Sequence, residues 1–267
     1  VGNIVSNNEI CNSDHMAISF GGNFNIIEYN DIHNVLRYAS DSGAIYSGRT
    51  WINGGNSIRY NYFHDLGKTK SPYWGVYAVY LDDGMYGTNV YGNIFDGIEE
   101  GIFSNGGRCN DIFNNIFVDT GTSVKIQKLN SSENINPVLY SAAKRMLAYI
   151  SFKNAFPDLE SIITEDRENP VYNKIYNNVL VNSGDITLDK YAEETAEVQN
   201  NYSTNDYSVL TDYSEGIYTV NENSEVFKNM KGFVNPNFEN MGRKLKWLEK
   251  KHLKLLIKER KKDATVL

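Results

Sequence analysis

One six-residue pattern, apolar-x-x-Asn-x-apolar or a near relative of it, recurs seven times along the chain. It reads VSNNEI from Val5, IEYNDI from Ile27, IRYNYF from Ile58, VYGNIF from Val90, IFNNIF from Ile112, IYNNVL from Ile175 and VQNNYS from Val198. The aligned asparagines are Asn8, Asn30, Asn61, Asn93, Asn115, Asn178 and Asn201, at successive intervals of 22, 31, 32, 22, 63 and 23 residues. A unit near 22 residues, holding two or three short strands, suits one turn of a right-handed parallel β-helix. Apolar side chains then stack inside from coil to coil, and the asparagines form an amide ladder along one corner. A leucine-rich repeat has a similar period, but its leucine framework is missing.

A second column runs beside the first. DHMAISFGGN, DSGAIYSGRT, YAVYLDDG and EGIFSNGG align when Ala17, Ala44, Ala78 and Gly101 are stacked. Period-2 alternation then turns Ile18, Ile45, Val79 and Ile102 inward and Ser19, Tyr46, Tyr80 and Phe103 outward. The outer face of this second sheet is expected to carry hydroxyls and aromatic platforms for sugar rings.

The long interval between Asn115 and Asn178 leaves room for an insertion over about 130–170. Pro137 suits the first turn of one short helix, and Pro157 breaks the chain before another. From residue 242 the character changes: GRKLKWLEKKHLKLLIKERKKD holds ten lysines or arginines against three acidic residues. That stretch predicts a basic C-terminal helix over 242–267, following a β-helix domain over 1–241. The opening VGNIVSNNEI already looks like the interior of a repeat, so N-terminal coils are expected to precede it, and localisation is not legible from a leader.

Composition narrows the function. The net charge of −7 argues against nucleic acid, which needs a basic surface, and no apolar run approaches the ~20 residues of a membrane span. Cys11 and Cys109 show neither metal-ligand spacing nor a disulfide framework, and both are expected to be free thiols. Neither a phosphate-binding glycine loop nor a clustered His/Cys metal site stands out. His33 and His64, in the corners IHN and FHD, are expected to stack or cap turns.

The chemistry-bearing residues gather in the second column. Asp82 and Asp83 follow Ala78 by four and five positions, where Gly48 and Arg49 follow Ala44. Coils about 4.8 Å apart bring Arg49 beside Asp83 or Asp82, with Glu99, Glu100, Asn105 and Arg108 in the next coil. Asp14 and Asp41 share a register ahead of their strands. Turn aspartates often only cap backbone N–H groups, and an Asp beside an Arg is commonly a satisfied pair. Clustered carboxyls also push one another's pKa values apart, which paired acid/base chemistry uses. Glycoside hydrolysis by two carboxyls fits such a patch and needs no cofactor. A polysaccharide lyase or epimerase acting on uronates, with Ca²⁺ held by the acids and Arg49 as base, fits too. A non-catalytic carbohydrate-binding solenoid is the third possibility.

The succession SDSGAIYSGR, IRYNYFHDL, VYLDDGMYGTNVYGNIF, GIFSNGGRCNDIFNNIFVD and AFPDL resembles the right-handed β-helix carbohydrate-active proteins of bacteria, most nearly glycoside hydrolase family 141. The likeness covers roughly residues 1–240 and is strongest over 38–120. It implies a secreted, extracellular or periplasmic enzyme similar to α-L-fucosidases and xylanases, acting on plant or algal polysaccharide through two aspartates. Carried onto this chain, these are Asp41 of DSGAIY and Asp82 of YLDDG. Asp83, Arg49, Tyr46, Tyr80, Asn105 and Arg108 are then expected to line the site and hold sugar hydroxyls. One tension is built into this reading: along a straight strand the register would hold Asp41 and Asp82 more than about 20 Å apart.

Overall fold

The computed structural model describes residues 1–69, 71, 74–129, 135–165, 167–211 and 213–243. The chain is mostly β, in three parallel sheets of seven, seven and six strands with neighbours three strands apart in sequence, so each coil contributes to every sheet in turn. The first sheet runs from Ile4–Ser6 through Ile26–Glu28, Asn56–Arg59, Thr88–Tyr91, Asp111–Phe113 and Lys174–Tyr176 to Glu197–Gln199. The second runs from Glu9–Cys11 through Asp31–His33, Tyr62–His64, Ile94–Asp96, Ile116–Val118 and Val179–Val181 to Tyr202–Thr204. The third comprises Ile18–Ser19, Ser42–Ser47, Val76–Leu81, Glu100–Asn105, Thr122–Gln127 and Ile186–Leu188.

The asparagine ladder is continuous. Each Nδ2 donates to the Oδ1 of the next aligned asparagine from Asn8 through Asn201, at 2.9–3.1 Å. The residue before each ladder asparagine has a positive φ, namely Asn7, Tyr29, Tyr60, Gly92, Asn114, Asn177 and Asn200. The chain turns there from the first sheet to the second, and asparagine and glycine tolerate that left-handed geometry best. A second, shorter ladder joins Asn3, Asn25 and Asn56. It was not read from the sequence, because Thr88 breaks its column.

Inside, the aligned apolar positions stack in register. Phe63, Phe95 and Phe117 lie face to face at 5.0 and 4.6 Å, each burial worth roughly 2–3 kcal/mol. The third-sheet column runs as its alternation predicts, with Ile18 on Ile45, Ile45 on Val79, Val79 on Ile102, and Tyr46 on Tyr80.

The stretch between the fifth and sixth coils carries helices α1 (Ile135–Leu147), α2 (Ile150–Ala155) and α3 (Ser161–Thr164), with a 3-10 turn at Pro157–Glu160. Leu139, Ala143, Phe156, Leu159 and Ile162 pack on Trp51 and Tyr86 at the corner leaving the third sheet. Residues 207–243 turn back along the solenoid. Val209, Leu210, Tyr218, Val220 and Val226 cover the outward Ile94, Ile116, Val118, Val179 and Val181 of the second sheet. Corner asparagines of the coils hold this return segment: Asn200 Nδ2 donates to the Lys231 carbonyl at 3.4 Å, Asn114 Oδ1 accepts from the Val234 N–H at 2.8 Å, and Asn7 Nδ2 donates to the Asn240 carbonyl at 2.8 Å. Of the basic helix expected over 242–267, positions 244–267 lie outside the described residues.

Candidate active site

Asp82 and Asp83 follow the strand Val76–Leu81 directly, and both are buried. The stacked strand below ends at Ser47, so Gly48 lies under Asp82: a Cβ at residue 48 would meet Asp82 Cβ at 2.8 Å. Glycine is therefore what lets the aspartate sit down on the neighbouring coil. The Asp82 Oδ2 accepts from the Tyr46 hydroxyl at 2.9 Å, and its Oδ1 accepts from the Asp83 N–H at 2.8 Å and from Asn105 Nδ2 at 3.2 Å. Asn105 Nδ2 also donates to Asp83 Oδ1 at 3.1 Å, and Gln127 of the next coil donates to Asn105 Oδ1 at 3.4 Å. Four stacked coils thus orient one pair of carboxyls.

Arg49 lies where the register puts it, with Nε 3.4 Å from Asp83 Oδ2. It remains largely exposed, so it does not cancel the cost of burying the acid. Burial and the adjacent Asp82 push the Asp83 carboxyl up to about 6, against the pull of Arg49.

Asp41 stands at the other end of the strand Ser42–Ser47, exposed and at φ 51°. The paired strands place Asp41 at one end and Asp82 beyond the other, and Tyr80 is a neighbour they have in common. The Tyr80 hydroxyl donates to Asp41 Oδ1 at 3.1 Å, and the neighbouring Asp82 carboxyl helps to push that hydroxyl up. Gly43 makes the close packing of Tyr80 possible. A Cβ there would stand 2.6 Å from Tyr80 Cβ and 3.0 Å from Tyr80 N.

Two sequence expectations need correcting. Tyr80 is only 4% exposed, stacked among Tyr77 and Phe103 at 4.8 and 5.0 Å, so it is a wall of the site rather than the open platform expected. With Tyr46 it is a phenolic clamp. Burial, then the neighbouring Asp82, push both hydroxyls far above their usual range, so both act as donors at any working pH. Arg108 does not line this site. It is 1% exposed and turns into the helical insertion, donating to Ser161 Oγ and Glu165 Oε2, each at 2.9 Å. Asp14, which shares Asp41's sequence register, is instead paired with Arg37 at 2.7 Å.

Four residues that the sequence reading does not place there, Trp74, Tyr77, Lys125 and Gln127, complete the surroundings. They join Tyr80, Phe103 and Asn105 around a hollow of about 150 Å³ on the outer face of the third sheet. Trp74 is 52% exposed, and Lys125 Nζ lies 5.2 Å from the Phe103 ring centroid. Lys125 and Gln127 were legible in principle, since TSVKIQ extends the column of EGIFSN by one coil. A larger cavity, about 560 Å³, lies between the insertion and the first sheet, lined in part by Cys109, Asp111, Asp158 and Lys174. Burial pushes the Cys109 thiol up to about 12, which leaves it no thiolate nucleophile at neutral pH. Lys174 there is paired with Glu197 at 3.7 Å.

Compared with known proteins, the sequence matches no family model, and no curated protein is significantly similar to it.

Proposed function

We propose that this chain is a right-handed parallel β-helix glycoside hydrolase, secreted by a bacterium and acting on plant or algal polysaccharide, with Asp41 and Asp82 as its reacting carboxyls. The observation that carries the reading is the Tyr80 hydroxyl, which donates to Asp41 and is raised by the neighbouring Asp82 carboxyl. Two carboxyls about 5 to 9.5 Å apart can share a glycosidic bond, and a phenol that interacts with both aspartates supports such an approach. Asp82, oriented by Tyr46, Asn105 and the Asp83 N–H, acts as base or nucleophile. Asp41, exposed at the rim, protonates the leaving oxygen. The hollow between Trp74 and Phe103 takes a neighbouring sugar ring, with Lys125, Gln127 and Asn105 holding its hydroxyls, and Asp83 with Arg49 positions Asp82. Members of glycoside hydrolase family 141, which the strand motifs resemble, use two aspartates in this way.

The test is hydrolysis of fucose- and xylose-containing polysaccharides by the wild type, Asp41→Asn and Asp82→Asn, with circular dichroism to verify the fold. Each variant is expected to lose more than about a hundredfold in turnover. Near-wild-type turnover in either removes that residue from the mechanism. An ultraviolet-absorbing product that disappears with a calcium chelator would instead favour the uronate lyase, and glycan binding without product would favour a non-catalytic solenoid.

A further inference from the structure

Glu9 and Cys11 are more than twenty positions from His33 in the chain, so no metal motif is legible there. Stacking removes that distance. Glu9 and Cys11 are alternate residues of one strand and share its outer face. Cys11 pairs with His33 in the next coil, and His33 with His64 in the coil after that. Glu9 Oε1 lies 3.4 Å from His33 Nε2, and the carboxylate oxygen, the thiol sulfur and a ring nitrogen all fall within 4.8 Å of one another.

A tetrahedral zinc ion, with Zn–S near 2.3 Å and Zn–N near 2.0 Å, needs its ligand atoms about 3.3–3.8 Å apart. Small rotamer changes on a half-exposed surface meet that requirement. The donor set points to the same ion. Carboxylates alone would suit calcium or magnesium, whereas thiolate, imidazole and carboxylate together suit zinc.

The surroundings already orient the imidazole. His33 stacks on His64 at 4.8 Å and 18°. His64 is fixed in turn by Asp31 at Nε2, 2.9 Å, and by Asp65 at Nδ1, 2.8 Å. The Asn34 side-chain amide lies 2.8 Å from His33 Nδ1, and an amide can turn its oxygen to accept the Nδ1–H when Nε2 binds metal. Arg243, 3.9 Å from Glu9 Oε2, faces the other carboxylate oxygen and leaves Oε1 to the site.

We propose that Glu9, Cys11 and His33 bind one zinc ion on the outer face of the second sheet, with its fourth position open to solvent and His64 as a positioning residue. The site lies on a different sheet from Asp82 and belongs to no step of the hydrolase reading.

The test is titration of the intact, reduced protein with cobalt(II). One equivalent should produce thiolate-to-cobalt charge-transfer absorption in the near ultraviolet, and zinc should abolish it. Cys11→Ser should lose the band and Cys109→Ser keep it. Glu9→Gln, at an exposed position where folding is not at stake, should weaken binding, and His64→Ala should lower affinity about tenfold. Zinc should also raise the melting temperature of the wild type over the chelator-treated protein, but not that of Cys11→Ser. Absence of a saturable band, or a band that survives Cys11→Ser, overturns the proposal.

Discussion

Gly43 lies so close to Tyr80 that a Cβ at residue 43 would stand 2.6 Å from the tyrosine's own Cβ. Tyr80 is one of the neighbours that Asp41 and Asp82 share, so this contact bears on both. Gly43→Ala should therefore displace Tyr80 and separate the carboxyls while leaving the sheets intact. A displacement near 1 Å is expected to cost about a hundredfold in kcat, read from steady-state kinetics beside an unchanged circular dichroism spectrum. Unaltered kcat would remove Tyr80 from the site.

Asp83 gives the protein a pH signature. Its carboxyl is pushed from 3.8 up to about 6 in the folded chain, so between those values the native state binds the proton that the unfolded chain has released. The stability this contributes is complete below about pH 4 and is lost as pH rises through about 6. Asp83→Asn should consequently melt higher than wild type at pH 7, with no such advantage at pH 4. Because Asp83 touches Asp82 and Arg49, the same variant should also move the limb of the pH–rate profile that falls near 6.

The amide ladder predicts a steep positional dependence. Asn93 is fully buried and donates to Asn115 and to the Ile58 and Tyr91 carbonyls while accepting from Asn61. Asn93→Ala strands several of these groups at once and should cost about 3–5 kcal/mol in urea unfolding. Asn8→Ala, on the first coil, should cost less than about 1 kcal/mol. Equal losses at both positions would mean that the ladder does not act through burial.

Arg108 separates an anchoring role from a sugar-binding one. Removing its buried guanidinium takes one donor from each of Glu165 and Ser161, so Arg108→Ala should destabilise by about 1–3 kcal/mol and expose 135–164 to limited proteolysis. Arg108→Lys should not restore the wild-type value, since a lysine cannot reproduce the planar fork. KM should stay unchanged in both variants.

Much of this was legible from the sequence because stacking converts chain position into space. The seven ladder asparagines repeat in every coil, and the third-sheet column alternates strictly, so the register of Arg49 over Asp83 followed from counting. Counting failed where geometry depends on a single residue. The direction of a corner side chain such as Arg108 is not a matter of period, and neither is the tight approach of Gly43 to Tyr80. The return segment was missed because it has no repeat. Its signal was present nonetheless: the outward positions of the second sheet change from Glu9, Cys11 and Asp31 in the early coils to Ile116, Val118, Val179 and Val181 in the later ones. A strand that turns apolar on its outer face is waiting for a cover.

That cover has a thermodynamic consequence. A solenoid whose coils touch only their neighbours can fray from either end, one repeat at a time. Here the segment leaving the last coil runs back to Asn7 in the first, passing Asn200 and Asn114 on the way. Peeling away the terminal coil therefore also loosens contacts at the opposite end. The two ends are clasped into one cooperative unit, and melting should proceed as a single transition rather than a procession of coils.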